Sequence, residues 1–171
     1  MVSDATRKSA VRKGSKAKTA KAQTKSPDAV TLLKADHESV EALFKRFETA
    51  RTESSKRDLV AKICKELTIH AQIEEEIFYP AVRDAIDDED LMDEAEVEHQ
   101  GAKDLIAQLK GGDIGDPLYE AKVTVLAEYI RHHVKEEQKE MFPKAKKADL
   151  DLHALGEQLQ ARKKALLKEL A

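Results

Sequence analysis

Glycine and proline are scarce in this chain of 171 residues, six and four respectively, and cysteine occurs once, at Cys64. So few helix breakers, beside 37% charged residues and long runs of Ala, Leu, Glu and Lys, favour helix over strand. A single cysteine excludes an internal disulfide. No run approaches the roughly 18 apolar residues of a membrane span, so no membrane association is expected. With no secretory signal recognisable, a reducing cytoplasm is the expected compartment. The length suits one domain of ordinary size, able to bury a hydrophobic core, plus a tail.

Charge divides the chain. Residues 1–27 carry eight Lys and Arg against the single Asp4, a net of +7, which leaves −10 for the rest of a chain whose total is −3. This opening segment is Ala-, Ser-, Thr- and Lys-rich with no apolar period, and is expected to be a disordered basic tail. A flexible +7 segment can contact DNA without sequence preference by releasing counterions.

From Asp28 onward the pattern becomes helical. The first helix is expected from Asp28, as cap, to about Arg51, and the second from Ser54-Ser55 to Pro80 or slightly past it. The third runs from Asp87-Asp88 to Gly111-Gly112, and the fourth from Asp116-Pro117 to near Phe142-Pro143. A last helix, about Asp149 to Leu170, carries Leu152, Leu155, Leu159, Leu166 and Leu170 and should pack on the outside. Short connections imply antiparallel neighbours, so the fold class is all-α: an up-down four-helix bundle with an added C-terminal helix, the domain spanning 28–171.

Each main helix has one apolar seam: Leu33, His37, Val40, Phe44, Phe47; Val60, Ile63, Leu67, His70, Glu74, Ile77, Ala81; Met92, Ala95, His99, Ala102, Ile106, Leu109; and Tyr119, Val123, Leu126, Ile130, His133, Glu137, Met141. A histidine falls on every seam, and on the second and fourth a glutamate follows four residues later. Burying two unpaired carboxylates in one core costs several kcal/mol each, so cations must neutralise them. Imidazole with carboxylate suits iron, manganese or zinc. The i, i+4 spacing stacks His and Glu about 6 Å apart along the axis, which lets the carboxylate reach between two metals about 3.5–4 Å apart.

The motif recurs. Glu66–Pro80 (ELTIHAQIEEEIFYP) aligns without gaps to Tyr129–Pro143 (YIRHHVKEEQKEMFP), His70 with His133 and Glu74 with Glu137, at an offset of 63; His37 precedes His99 by 62. Two hairpins facing each other about a pseudo-twofold axis would hold a symmetric pair of metals. With the segments Asp36-His37 and Ala95–His99, these residues resemble the hemerythrin family, in particular bacterial hemerythrin-like proteins with a cation-binding H…HxxxE…H…HxxxE pattern. The resemblance covers about residues 30–170. It implies two iron ions, oxo- or hydroxo-bridged, with Glu74 and Glu137 bridging and His37, His70, His99 and His133 terminal; manganese and zinc are the alternatives.

Two departures bear on function. Lys103 stands where the family's oxygen carriers have a fifth histidine, and Glu137 replaces their aspartate, which speaks against reversible oxygen carriage. One iron is therefore expected to hold fewer nitrogens than the other. Open positions on a redox metal imply binding or reduction of a small oxidant: dioxygen, hydrogen peroxide or nitric oxide. An iron- or oxygen-responsive sensor, or an iron-handling protein without turnover, is the alternative, and a monomer is expected. Among the remaining polar residues, Glu75, Glu76 and Glu136 are expected to be solvated, with Glu75 or Glu136 available to fill a ligand gap. His132 lacks a repeat partner and His153 should be solvated. Phe78, Tyr79, Met141 and Phe142 should close the end of the bundle, with the Tyr79 and Tyr129 hydroxyls available to support the site. Cys64 reads as a small buried filler.

Overall fold

The computed structural model describes residues 26–171, so the expected tail, apart from its last two residues, lies outside the described residues. Helix α1 spans Ala29–Thr49. Helix α2 comprises Glu53–Ile73, a π turn at Glu74–Phe78, and Tyr79–Ala85. Helix α3 is Glu89–Gly111. Helix α4 comprises Tyr119–Glu136, a π turn at Glu137–Met141, and Phe142–Lys147. Helix α5 is Leu152–Glu169. No strand occurs among the described residues, and no helix among them is long and apolar enough to cross a membrane.

Acidic and hydroxyl side chains set the starts. Asp28, Thr52, Asp88 and Asp151 accept hydrogen bonds from the backbone N–H groups of Thr31, Ser55, Leu91 and Ala154, each meeting one of the donors that a helix start leaves open. The second helix thus begins slightly before Ser54-Ser55. The fourth begins after Asp116-Pro117, because Asp116 instead closes a turn by accepting from Leu118 N–H at 2.9 Å.

The four main helices pack around two apolar clusters. One joins Leu33, Phe78, Val82, Met92 and Phe142 with Leu155 and Leu159 of α5. The other joins Val40, Phe44, Ile63, Leu67, Ile106 and Leu126 at the opposite end. Helix α5 lies outside, against α1 and α2. Gly156 makes that docking close: a Cβ there would lie 2.2 Å from the carbonyl oxygen of Pro27. Leu170, counted in the apolar stripe of α5, is 45% exposed and contributes nothing to it.

The π turns are the feature that regular helical spacing misses. Tyr79 N–H donates to Glu74 carbonyl oxygen and Phe142 N–H to Glu137 carbonyl oxygen, five residues back in each case. Pro80 and Pro143 follow directly. A proline lacks its own N–H and its ring crowds the carbonyl four residues earlier, and a widened turn relieves that conflict. The inserted residue shifts the buried face of α2 from the expected Ile77 and Ala81, both half-buried, to Phe78, Tyr79 and Val82.

Candidate metal centre

His37, His70, Glu74, His99, His133 and Glu137 are all buried, no more than 7% exposed, where the four main helices converge. They form two overlapping groups of ligand atoms lying within 4.8 Å of one another. One is His37, His70, Glu74 and Glu137; the other is Glu74, His99 and His133. The imidazoles pair across helices: His37 Nε2 faces His70 Nε2 at 3.0 Å, and His99 Nε2 faces His133 Nε2 at 3.1 Å.

Both glutamates span the two pairs. Glu74 places Oε1 3.2 Å from His70 Nε2 and Oε2 3.4 Å from His99 Nε2. Glu137 places Oε2 3.2 Å from His37 Nε2 and Oε1 3.6 Å from His133 Nε2. Yet both oxygens of Glu74 and Oε2 of Glu137, sealed from solvent, accept no aligned hydrogen bond from any described residue. A buried carboxylate left this way costs several kcal/mol.

The outer ring nitrogens explain why the inner ones face one another. His70 Nδ1 lies 3.4 Å from Asp36, His99 Nδ1 2.9 Å from Glu75, and His133 Nδ1 2.7 Å from Glu98, all carboxylate oxygens that accept its N–H. The Gln138 side-chain amide lies 3.1 Å from His37 Nδ1. With Nδ1 protonated, the neutral rings of His70, His99 and His133 turn a lone pair inward, whereas His37 Nδ1 accepts from the Gln138 amide. Across His99 and His133 two such lone pairs lie 3.1 Å apart and repel unless a proton or a cation lies between them. Without a cation, protons take that role. Burial opposes a charge on His70, but Glu74, Asp36 and Glu137 outweigh it and push its pKa up to about 10. His99, likewise opposed by burial, is pushed up to about 9 by Glu74 and Glu75. Glu74 itself is held well below the usual carboxylate range, because His70 and His99 overcome the cost of its burial. Mixed nitrogen and oxygen donors, with three buried oxygens unsatisfied, fit divalent cations that replace those protons.

Several surrounding residues differ from expectation. Glu75 is not simply solvated: it joins His99 Nδ1 to Lys103 Nζ, the latter at 2.6 Å. Glu98, not recognised as part of the site, fixes His133. A carboxylate outside the seam gives no periodic signal, and Glu98 acts on His133 across the bundle, not on its neighbour His99. Tyr79 turns its hydroxyl into the centre, donating to Glu137 Oε1 at 2.8 Å. Burial, then the Glu137 and Glu74 charges, raise the Tyr79 pKa well above the usual phenol value. Tyr129 is instead 43% exposed, its ring over Gly101. His132 stays at the surface beside Glu98 and Glu136, and His153 is exposed. The imidazoles divide two and two, so the expected shortage of nitrogens on one side is not what the geometry gives. Lys103 is spent on Glu75.

A cavity of about 30 Å³ adjoins the histidines, walled by Val40, Leu67, Ala102, Ile130 and Val134. A larger cleft of about 490 Å³, beside Arg57, Cys64 and Tyr119, touches none of the six residues. Cys64 is buried, and that burial raises its thiol to about 11, so it is inert as a thiolate.

Known proteins share these features. The Hemerythrin HHE cation binding domain matches residues 28–145. The chain is 30% identical over 111 residues to a Nostoc sp. protein named DNA nickase; the match covers 65% of this chain and 31% of that relative, so this chain spans less than a third of it. The fold superposes with a TM-score of 0.70 on the crystal structure of a hemerythrin HHE cation binding domain-containing protein from Mycobacterium kansasii. That superposition covers 82% of this chain and 87% of the other, at 28% identity. A buried histidine and glutamate cluster repeated across four helices, within a matched region that contains every one of its residues, places this chain in the hemerythrin HHE cation-binding domain family.

Proposed function

We propose that residues 28–171 form a non-heme di-iron domain that binds or reduces a small oxidant: dioxygen, hydrogen peroxide or nitric oxide. The observation that carries this reading is the placement of the two glutamates, each offering one oxygen to each imidazole pair. Glu74 and Glu137 would bridge two irons, with His37 and His70 holding one and His99 and His133 the other.

When bound, iron supplies electrons to, or an open coordination position for, the oxidant. The chain's own residues do the rest. Asp36, Glu75 and Glu98 fix the imidazole tautomers and orient the rings. The apolar wall keeps bulk water out, and a cavity of about 30 Å³ admits a molecule of few atoms and little more. Manganese and zinc suit the same donors, but zinc would support no redox step.

The test is metal analysis of chain loaded with ferrous iron, followed by rapid mixing with each oxidant. Two irons per chain, and iron-dependent consumption of one oxidant over repeated cycles, are expected. One iron or none would sink the two-metal reading. Two irons that bind the oxidant once and never turn over would leave a sensor in place of an oxidant-consuming protein. Contact with DNA is a separate reading. It rests on the basic residues 1–27 and accords with the name of the Nostoc relative, of which only 31% is matched.

A further inference from the structure

The small cavity beside the histidines has an outer chamber. A cleft of about 320 Å³ opens between α1 and α4, and it shares His37, Ile130 and Val134 with the cavity of about 30 Å³ inside. Those three side chains are the partition between the cleft and the His37 and His70 position. Ile130 and Val134 lie one turn apart on α4, both half-buried and both apolar.

The mouth of this cleft is positive on a negative body. Arg131, Lys135 and Lys139 line it against the single carboxylate of Glu41, whereas residues 28–171 together carry −10. Arg131 is spent on Glu41 and Glu48, at 2.9 Å each. Lys135 and Lys139 are exposed, one turn apart, and pair with no carboxylate among the described residues. A second cleft, of about 460 Å³, shares only Lys103 with the inner cavity, and its charges have the other balance. Glu75, Asp84 and Glu96 there outnumber Arg83 and Lys103, both of which are ion-paired.

A cleft with cations at its mouth and apolar walls concentrates anions at its floor, and a neutral molecule gains nothing from it. Farther in, Val40, Leu67 and Ala102 leave an entering anion without hydration. That loss costs several kcal/mol unless a cation at the end of the path offsets it. A positive mouth, an apolar partition and little room beyond it together select a small anion bound for a metal.

We propose that the cleft between α1 and α4 is the entry to the centre, and that the ligand it serves is a monovalent anion of few atoms. Lys135 and Lys139 steer the anion, and it passes Ile130 and Val134 to reach the position at His37 and His70. This rests on the metal-binding reading above. Hydroperoxide, superoxide and nitrite belong to that class. Neutral dioxygen and nitric oxide cross the same partition without the electrostatic gain.

The experiment uses the full chain loaded with iron, with iron content read alongside. Azide, a monoanion of three atoms, is mixed with the air-oxidised form and nitric oxide with the ferrous form. The second-order rate constant of each spectral change is read at about 20 and 500 mM salt. Lys135→Glu combined with Lys139→Glu should slow azide about tenfold or more at the lower salt and leave nitric oxide within about twofold. Raising the salt should slow azide in the unaltered protein and not in this variant. The same charge change at Lys62→Glu with Lys164→Glu, exposed positions that line neither cleft, should leave azide within about twofold. Val134→Phe, which fills the partition, should slow both ligands; the lysine variants, altered only at the surface, decide the matter if it does not fold. Azide that binds the Lys135 and Lys139 variant at the unaltered rate, or is slowed as much by the distant pair, would overturn the proposal. So would a folded Val134→Phe that leaves both rates unchanged. With two irons still bound, any of these leaves the di-iron reading standing, whereas absence of iron from the unaltered protein would overturn both.

Discussion

Stripping the metal leaves His70 and His99 as proton sites, and the stability of the metal-free protein must then fall as pH rises. In the unfolded chain both titrate near 6.5; in the folded metal-free chain they titrate near 10 and 9. A pKa raised by folding contributes stability that is fully present below the unfolded value and is lost as pH climbs through the folded one. At about 1.4 kcal/mol per pH unit, each alone would amount to roughly 3–5 kcal/mol. Both draw on the same Glu74 carboxylate, so their joint contribution is smaller than the sum, on the order of 5 kcal/mol. Between pH 6.5 and pH 9 to 10 the metal-free protein should lose most of this, lowering Tm by roughly 10–20 °C. The loaded protein, whose metal has replaced those protons, should show no such fall. Thermal unfolding followed by far-ultraviolet circular dichroism, on chelated and loaded protein at pH 6, 7.5 and 9, reads the effect. Glu74→Gln, which removes the shared carboxylate, should flatten the chelated profile. A chelated Tm that is constant or rises from pH 6.5 to 9 would refute the proton-for-metal reasoning.

Glu74→Gln or Glu137→Gln should also lower bound iron to one per chain or less, while His132→Ala leaves it unchanged; metal analysis giving the reverse order would displace the ligand set. Gly156→Ala should destabilise the protein by about 1–3 kcal/mol through overpacking, because its new methyl meets the Pro27 carbonyl at 2.2 Å, and an unchanged denaturation midpoint would count against the close docking of α5. The full chain should retard DNA at about 50 mM salt and much less at about 200 mM, whereas a chain starting at Asp28 should not; no retardation at the lower salt would end the DNA reading.

The helices and the six buried polar residues were legible because burial leaves a period. His37, His70, Glu74, His99, His133 and Glu137 each sit on an apolar seam where a polar group is costly, and the repeat doubles the signal. What was not legible breaks the period. The π turns insert one residue at the glutamates themselves, so a regular seam carried past Glu74 selects Ile77 and Ala81 and misses Phe78 and Val82. Their trace in the sequence was the proline shared by Phe78-Tyr79-Pro80 and Met141-Phe142-Pro143. Glu75 and Glu98 look like ordinary surface carboxylates, since their work lies at the outer edge of an imidazole, where no hydrophobic pattern marks the position.

Helix α5 has a consequence for metal retention. The domain match ends at residue 145, before this helix begins, yet Lys163 on it pairs with Asp36, whose other oxygen faces Nδ1 of His70. Arg162, one residue before, holds Glu76, two residues past Glu74, at 2.6 Å. With a metal bound, the last helix would act as a clasp on Asp36 and, through it, on the ring of His70. Lifting it would strip Asp36 of its counter-charge and free the ring of His70 to swing. Two events that hold one another in place are thermodynamically reciprocal: a filled site tightens the clasp, and an opened clasp loosens the metal.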